Sequence, residues 1–557
     1  MNMKRKLFLV SLALVMVLSV FAAACSGNQQ EAGSGGNKIT MAMVSAFEGM
    51  FNPIFYGSQY DDYILDFAFD SLWSEDKNLE VTVPGLAEKW EVSEDGKFVT
   101  IHMRKDAKWH DGKPITADDM IFTWETIADP AYTEAGGSRA SYVDSIKGAK
   151  EKMEKKADKI SGITKVDDYT IKVEFAQPDA RSLGSKLWST PIPKHIFEKY
   201  SVKEMAGNID ENGKAGKIVG SGPYKIKEIR PNQYVVLEKN KDYYQKGKPR
   251  IDQIVWKVLD KDVAIGALKN GEIDFLSDLD PSDYDTVKAM SNVNINETQD
   301  FGYQYLGLKT NNPKLADKRV RQAIAYAINR QALVDGLLKG HGTVLNQGIP
   351  AVSPFYNKDL EKAYPHDVNK AKQLLAEAGY KDVNGDGFVE DPQGKPYVLK
   401  LDYPVGNKTR EKSAPIIAED LKKAGIKVDL RQPRDFAVHS DAVEKDQGIE
   451  MWLMGWSLDV DPDPSGIWRS NDLWNYPRWK NAESDKLIDE AKFSKDAFDK
   501  EKRKAMYKKW TELVADEQPL VFLYSQNVIQ AWSKRLKGTS WDFRGILNPD
   551  KVNWYVE

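Results

Sequence analysis

Cysteine occurs once in 557 residues, at Cys25. One thiol cannot close an internal disulfide or build a zinc–thiolate site. The six histidines, His102, His110, His195, His341, His366 and His439, are scattered, with no pair one helical turn apart. No metal site is readable from them, and neither metal nor cofactor is expected. A Gly-x-Ser-x-Gly elbow is absent. Gly220-Ser-Gly-Pro-Tyr224 lacks the Gly-Lys-Ser/Thr ending of a phosphate-binding loop and runs into strand residues, which argues against nucleotide binding. There is no long basic block. The formal net charge is −4, and removing residues 1–24, which carry Lys4, Arg5, Lys6 and no acid, takes it to −7. Nucleic acid is therefore a poor partner.

The chain is too long for one core and suggests about three domains. Hydrophobic residues at 41% and charged residues at 29% give a globular balance. The start, Met-Asn-Met-Lys-Arg-Lys, leads into an apolar run from Leu7 to Ala24 and then Cys25-Ser-Gly-Asn. A basic start, an apolar core and small residues before a break describe a secretory signal. With the lone cysteine directly after Ala24, residues 1–24 resemble a bacterial lipoprotein signal, although Ala22 stands where leucine is usual. Cys25 is the expected lipidation site. A membrane span or a plain secretory peptide are the alternatives. The run is at the short limit for a span, and an uncleaved helix would leave Cys25 without a role. Residues 25–37, rich in Gly, Ser and Gln, read as a flexible tether.

Residues 450–468 carry the densest signal. An apolar strand from Met451 to Trp456 breaks into a loop holding Asp459, Asp461 and Asp463, with Pro462 and Pro464, flanked by Trp456 and Trp468. Proline cannot donate to a sheet ladder, so the strand stops there. Five of the fifteen tryptophans fall between Trp452 and Trp479. Carboxylates beside aromatic faces suit a cation, a sugar ring or an extended polar chain, and the carboxyl ends of α/β strands are where ligands bind. Equally, the prolines stop a strand and the aspartates are solvated turn residues.

Elsewhere, apolar spacing predicts a helix over Tyr63–Trp73, and Asp95-Gly96 marks a hairpin before the strand Phe98–Met103. Thr116 with Asp119 resembles a capping box for a helix to about Ala128. Trp109, His110 and Asp111 read as turn and packing residues. Gly148 to Lys159 reads as a charged surface helix, and Tyr169–Phe175 alternates as a strand. In the second half, Val320 to Ile328 form a helical stripe, and Asp367 caps a helix ended by Gly379. Strand 397–403, a helix to Ala424 and strand 426–430 imply a parallel unit that Met451–Trp456 joins. Asp382-Val-Asn384-Gly-Asp386-Gly387 mimics half of a calcium loop, but Gln393 replaces the bidentate glutamate, so it reads as a turn.

Ordered motifs then resemble the large extracytoplasmic solute-binding proteins of ABC importers, the oligopeptide/dipeptide/nickel group. They are Leu86-Ala-Glu-Lys-Trp90, Ser93-Glu-Asp-Gly96, Trp109-His-Asp-Gly-Lys-Pro-Ile-Thr-Ala-Asp-Asp119, Pro193-Lys-His-Ile196, Gly220 to Tyr224, Gly271-Glu-Ile-Asp-Phe275, Arg319 to Arg330 and Asn481 to Leu487. The resemblance implies an α/β, two-lobed type II binding-protein fold with an extra inserted domain. Residues 38–66, 190–300 and 520–557 would form one lobe, 67–189 the insertion and 301–519 the α/β lobe. Family analogy puts the crossings between lobes near Phe301–Tyr305 and Pro519–Tyr524. It also implies a monomeric, non-enzymatic, lipid-anchored binder on the outer face of the cell membrane that passes oligopeptides to an ABC permease. Gly455-Trp456-Ser457-Leu458-Asp459 matches the peptide-binding motif, so Asp459 would pair with the ligand ammonium. The main chain of Gly455–Ser457 would pair with the peptide. Gly57, Ser58 and Gln59 would add contacts from the other lobe, and Asp461 and Trp468 are further candidates. An oligosaccharide is the alternative ligand. An exported glycoside hydrolase using these aspartates is the alternative class, which three acids on one proline-rich loop fit poorly.

Overall fold

A computed structural model describes residues 37–557 except 182, 184–186, 208–217, 278 and 542–544. The signal, Cys25 and nearly all of the tether lie outside the described residues. None of the described helices is long and apolar enough to cross a membrane.

One twelve-stranded mixed sheet runs through both lobes. Its first part holds Lys38–Met43 between the parallel strands Gln253–Val258 and Phe275–Leu276, with Tyr234–Lys239 and Tyr224–Arg230 beyond. Its second part holds Met451–Ser457 between Gly302–Leu308, antiparallel, and Val398–Asp402, parallel. The strand Leu520–Ser533 joins the parts. Its first residues pair with Gly302–Leu308, and its last pair with Val293–Gln299 and Phe275–Leu276. The chain thus crosses twice, at 300–301 and 525–526, where Asp300 N–H donates to Gln526 O at 3.2 Å.

Side-chain alternation explains the packing of the second part. Met451 and Leu453 enter one apolar core with the helices Lys318–Ala327, Val368–Glu377 and Lys408–Lys423. Trp452 and Met454 enter the opposite core, with Trp468, Trp479 and Trp510 and the helices Ala482–Phe493 and Lys500–Glu517. A four-stranded antiparallel sheet of Ala87–Val92, Phe98–Met103, Thr170–Glu174 and Ile163–Asp167 shares the core of the first lobe.

Local signals mostly hold. The capping box forms, with Thr116 N–H donating to Asp119 at 2.9 Å. Strands Val398–Asp402 and Lys427–Leu430 are parallel around Lys408–Lys423. His110 pins the Gly220 loop: its Nδ1 accepts from Gly220 N–H at 3.1 Å, and its Nε2 meets Gly222 O at 3.0 Å. Burial depresses His110 to about 4, so the ring is neutral.

Two expectations need correcting. The helix spaced over Tyr63–Trp73 spans Gln59–Ala68, because Ser58 accepts from Tyr60 N–H and caps it early, and Phe69 leaves in extended backbone. Trp73 instead opens the strand Trp73–Glu75. The surface helix over Gly148–Lys159 is only Ala149–Met153, and Lys155 turns the chain with φ of 62°.

Candidate functional site

The strand Met451–Ser457 presents a half-open edge. Glu450 O accepts from Lys309 N–H, and Leu458 N–H donates to Phe301 O, both across to Gly302–Leu308. In an antiparallel ladder alternate residues bond to alternate sides. Even-numbered residues therefore face Gly302–Leu308, while Leu453, Gly455 and Ser457 point their N–H and C=O the other way. On that side Val398–Asp402 pairs only as far as Trp452, and His439 meets Leu453 O at 3.2 Å. Among the described residues no strand pairs with the edge beyond. Gly455 allows a close approach: a Cβ there would lie 2.5 Å from Gln304 Nε2 and 2.8 Å from Arg410 Nη2.

Past Ser457 the acidic loop divides its three carboxylates. Asp461 forms a two-armed pair with Arg503, both contacts at 2.8 Å. Burial opposes the charge of Arg503, but Asp461 outweighs it and holds the guanidinium above its usual range. Asp463 pairs with Arg181, which also holds Asp179. Burial works against the Asp463 charge, yet Arg181 and Lys492 keep it below the usual carboxylate range. Asp459 is exposed and accepts from the Tyr142 hydroxyl at 3.4 Å. Burial, then the Asp459 charge, lifts Tyr142 to about 12, so it stays a donor at any physiological pH.

These contacts span a cleft with two connected cavities. The smaller, about 370 Å³, is walled by Arg139 and Tyr142 on one side and by Trp456, Ser457, Asp459 and Trp474 on the other. The larger, about 590 Å³, shares Tyr142, Asp459, Asp461 and Pro462 with it.

The remaining candidates sit as follows. Trp456 is half-buried and stacks on Tyr476 at 5.6 Å, with Trp474 at 6.1 Å. Ser457 is exposed. Trp468 touches the smaller cavity but is 4% exposed and packs on Trp510 and Phe522. Gly57 and Gln59 are exposed, Ser58 is the helix cap, and none of the three lines either cavity. Their neighbour Tyr56 meets the cleft through Arg139, whose guanidinium lies 4.3 Å from the Tyr56 ring centre and donates to its carbonyl at 3.1 Å.

Sequence reasoning missed Arg139, Tyr142, Arg181 and Arg503. No local signal marks them, since Arg181 is 282 residues from Asp463 and Tyr142 is 317 from Asp459. Among the described residues no cluster of three or more His, Cys, Asp or Glu side chains could hold a metal ion. The calcium-like loop turns Asp382 onto its own backbone, accepting from Gly385 and Gly387 N–H at 2.7 and 2.9 Å.

Two lobes joined by two strand crossings, with a cleft between them, define a type II periplasmic-binding-protein fold. Residues 81–478 match the model of the bacterial extracellular solute-binding proteins, family 5, and the chain belongs to that family. It is 32% identical over 569 residues to the oligopeptide-binding protein AppA of Bacillus subtilis, covering 99% of each. It is 28% identical over 482 residues to a dipeptide-binding protein of Escherichia coli, covering 82% of this chain and 83% of that one. The structure of Bacillus subtilis AppA in complex with a nonapeptide superposes with a TM-score of 0.73 at 29% identity, over 94% of this chain and 99% of that chain.

Proposed function

We propose that this chain is the peptide-capturing component of an ABC importer, a monomer anchored by lipid at Cys25 and delivering oligopeptides to the membrane permease. No bond is made or broken. The lobes close about the crossings at 300–301 and 525–526, and the closed form is what the permease engages.

The observation that carries the reading is the half-open strand edge at Gly455 and Ser457 beside Asp459. A peptide main chain supplies N–H and C=O groups that such an edge can pair, and those bonds give affinity without reading side chains. A carboxylate in a closing cleft suits an ammonium, which cannot be buried without a charge partner. The peptide-binding relatives support the same ligand class. A sugar would use the Trp456 and Tyr476 faces but has no repeating backbone to meet the edge.

Isothermal titration with a mixture of short peptides gives saturable binding, and maltodextrins give none. Asp459→Ala weakens peptide binding by about 2 kcal/mol or more, the cost of truncating one partner of an enclosed charge pair. No heat with any peptide would sink the substrate assignment, and binding of maltodextrins alone would install the sugar reading. Cys25→Ser moves the protein from the membrane fraction to the soluble extracellular fraction. An unchanged membrane fraction would remove the lipid anchor.

A further inference from the structure

A glycine turn of the first lobe meets an aromatic ring of the other lobe away from the strand end at Gly455. Ser93 Oγ donates to Asp95 at 2.6 Å and accepts from Phe98 N–H at 3.0 Å, and Gly96 N–H donates to Ser93 O at 2.8 Å. These bonds fix the turn between the strands Ala87–Val92 and Phe98–Met103, with Gly96 held at φ of 67°. Glu94, Asp95 and Lys97 around it are exposed, yet Gly96 is buried. Its cover is Phe498, whose ring occupies the place that a Cβ at Gly96 would take. Glycine is thus needed twice here, for the left-handed backbone and for the seat. Phe498 ends the short helical turn Lys495–Phe498, which buried Ala497 anchors between the helices Ala482–Phe493 and Lys500–Glu517. On either side of the ring, Ala180 N–H donates to Lys492 O at 2.9 Å and Lys500 pairs with Glu80. The latter pair is half-exposed, and such pairs add little. The ring in its seat is the contact that excludes water. Gly96 lines neither cavity, so a peptide at the strand edge does not touch it.

We infer that the Gly96–Phe498 seat is a clasp that holds the lobes together from outside the strand-edge site, and that it sets how long a peptide stays bound without reading which peptide it is. This rests on the closure of the two lobes proposed above. A side chain that touches the ligand changes the release of some peptides more than others. A clasp between lobes changes the release of every peptide by one factor, because it acts on the opening step that all of them share.

The test measures release of two peptides, pentaalanine and Leu-Leu-Ala-Ala-Ala, from the whole protein in stopped flow. Phe498→Ala quickens the release of both by the same factor, about fivefold or more, as loss of a partly buried ring requires. Gly96→Asn keeps the left-handed turn, which asparagine accepts, and evicts the ring, so it has the same effect. The double substitution goes no further than either single one, because both remove one contact. Phe498 is 38% exposed, so folding is spared, and unmoved thermal unfolding midpoints check this. Unchanged release, factors that differ between the two peptides, or effects that add in the double variant would overturn the clasp. If neither peptide binds the parent protein, the peptide reading falls by itself. The clasp is then read in the ligand-free protein by small-angle X-ray scattering, where either variant is wider than the parent and identical curves overturn it.

Discussion

Replacing Asp461 and Asp459 separately by alanine should split stability from binding on one short loop. Asp461 and Arg503 have side chains only 13% and 8% exposed. Truncating Asp461 removes both 2.8 Å contacts and leaves Arg503 with Ala491 O at 2.9 Å and the Tyr507 hydroxyl at 3.2 Å. Breaking a buried pair from one side costs about 3–5 kcal/mol, because the remaining charge is stranded. Asp461 and Arg503 both line the 590 Å³ cavity. Water can therefore reach the stranded guanidinium, which puts the cost at the lower end, about 3 kcal/mol. Asp459 is exposed. Its removal should change stability by no more than about 0.5 kcal/mol. Urea unfolding followed by tryptophan fluorescence, beside peptide titration, reads both quantities. Asp461→Ala lowers the transition midpoint of its lobe, and Asp459→Ala lowers peptide affinity with an unmoved midpoint. The reasoning is refuted if Asp461→Ala costs under about 1 kcal/mol, or if Asp459→Ala destabilises as much as it does.

Arg181→Ala removes the pair to Asp463 between the lobes, so closure is weakened. Peptide dissociation in stopped flow quickens about tenfold, and an unchanged rate would dismiss the contact as a closure element. Gly455→Ala pushes aside the flexible ends of Gln304 and Arg410 and costs no more than about 1 kcal/mol; a larger loss in thermal unfolding would show that those side chains cannot give way. Asp62→Asn has a pH signature. Burial, then repulsion from Asp66, raises the Asp62 carboxyl to about 6. The native state thus keeps a proton that the unfolded chain releases near pH 4, so stability falls as pH rises from about 4 to 6. The asparagine variant is more stable than the parent by up to about 3 kcal/mol at pH 7.5 and loses that gain near pH 4. Melting curves that differ equally at both values would exclude Asp62 as the cause.

Much of the architecture could be read in advance where the cause is local. The capping box at Thr116, the Asp95-Gly96 turn, the Asp367 cap and the proline stop after Ser457 each depend on residues a few positions apart. Misreadings arose where a local competitor was overlooked, as when Ser58 started its helix early and left Trp73 to a strand. The loop's own composition does not separate Asp459, Asp461 and Asp463; only the Gly455–Asp459 resemblance singled out Asp459. Trp468 looked like a rim aromatic, but Trp510 and Phe522 enclose it, because residues after the loop fold back under the sheet. Gly57 to Gln59 were expected beside the ligand, whereas Arg139 forms the wall nearest them, with Tyr56 behind its guanidinium.

The sequence by itself determined that a strand ends in an acidic, proline-broken loop rich in neighbouring tryptophan and that the second half has α/β character, while the two-lobed fold followed from the resemblance of its ordered motifs to a known family. Hydrophobic period, caps and turns act over a few residues, and a linear reading can follow them. Only the tertiary structure decided what each aspartate does. Asp461 meets an arginine 42 residues away, Asp463 one 282 residues away and Asp459 a tyrosine 317 residues away. A carboxylate's role is set by the charge and burial around it, and those come from chain segments that meet only when the lobes fold and close.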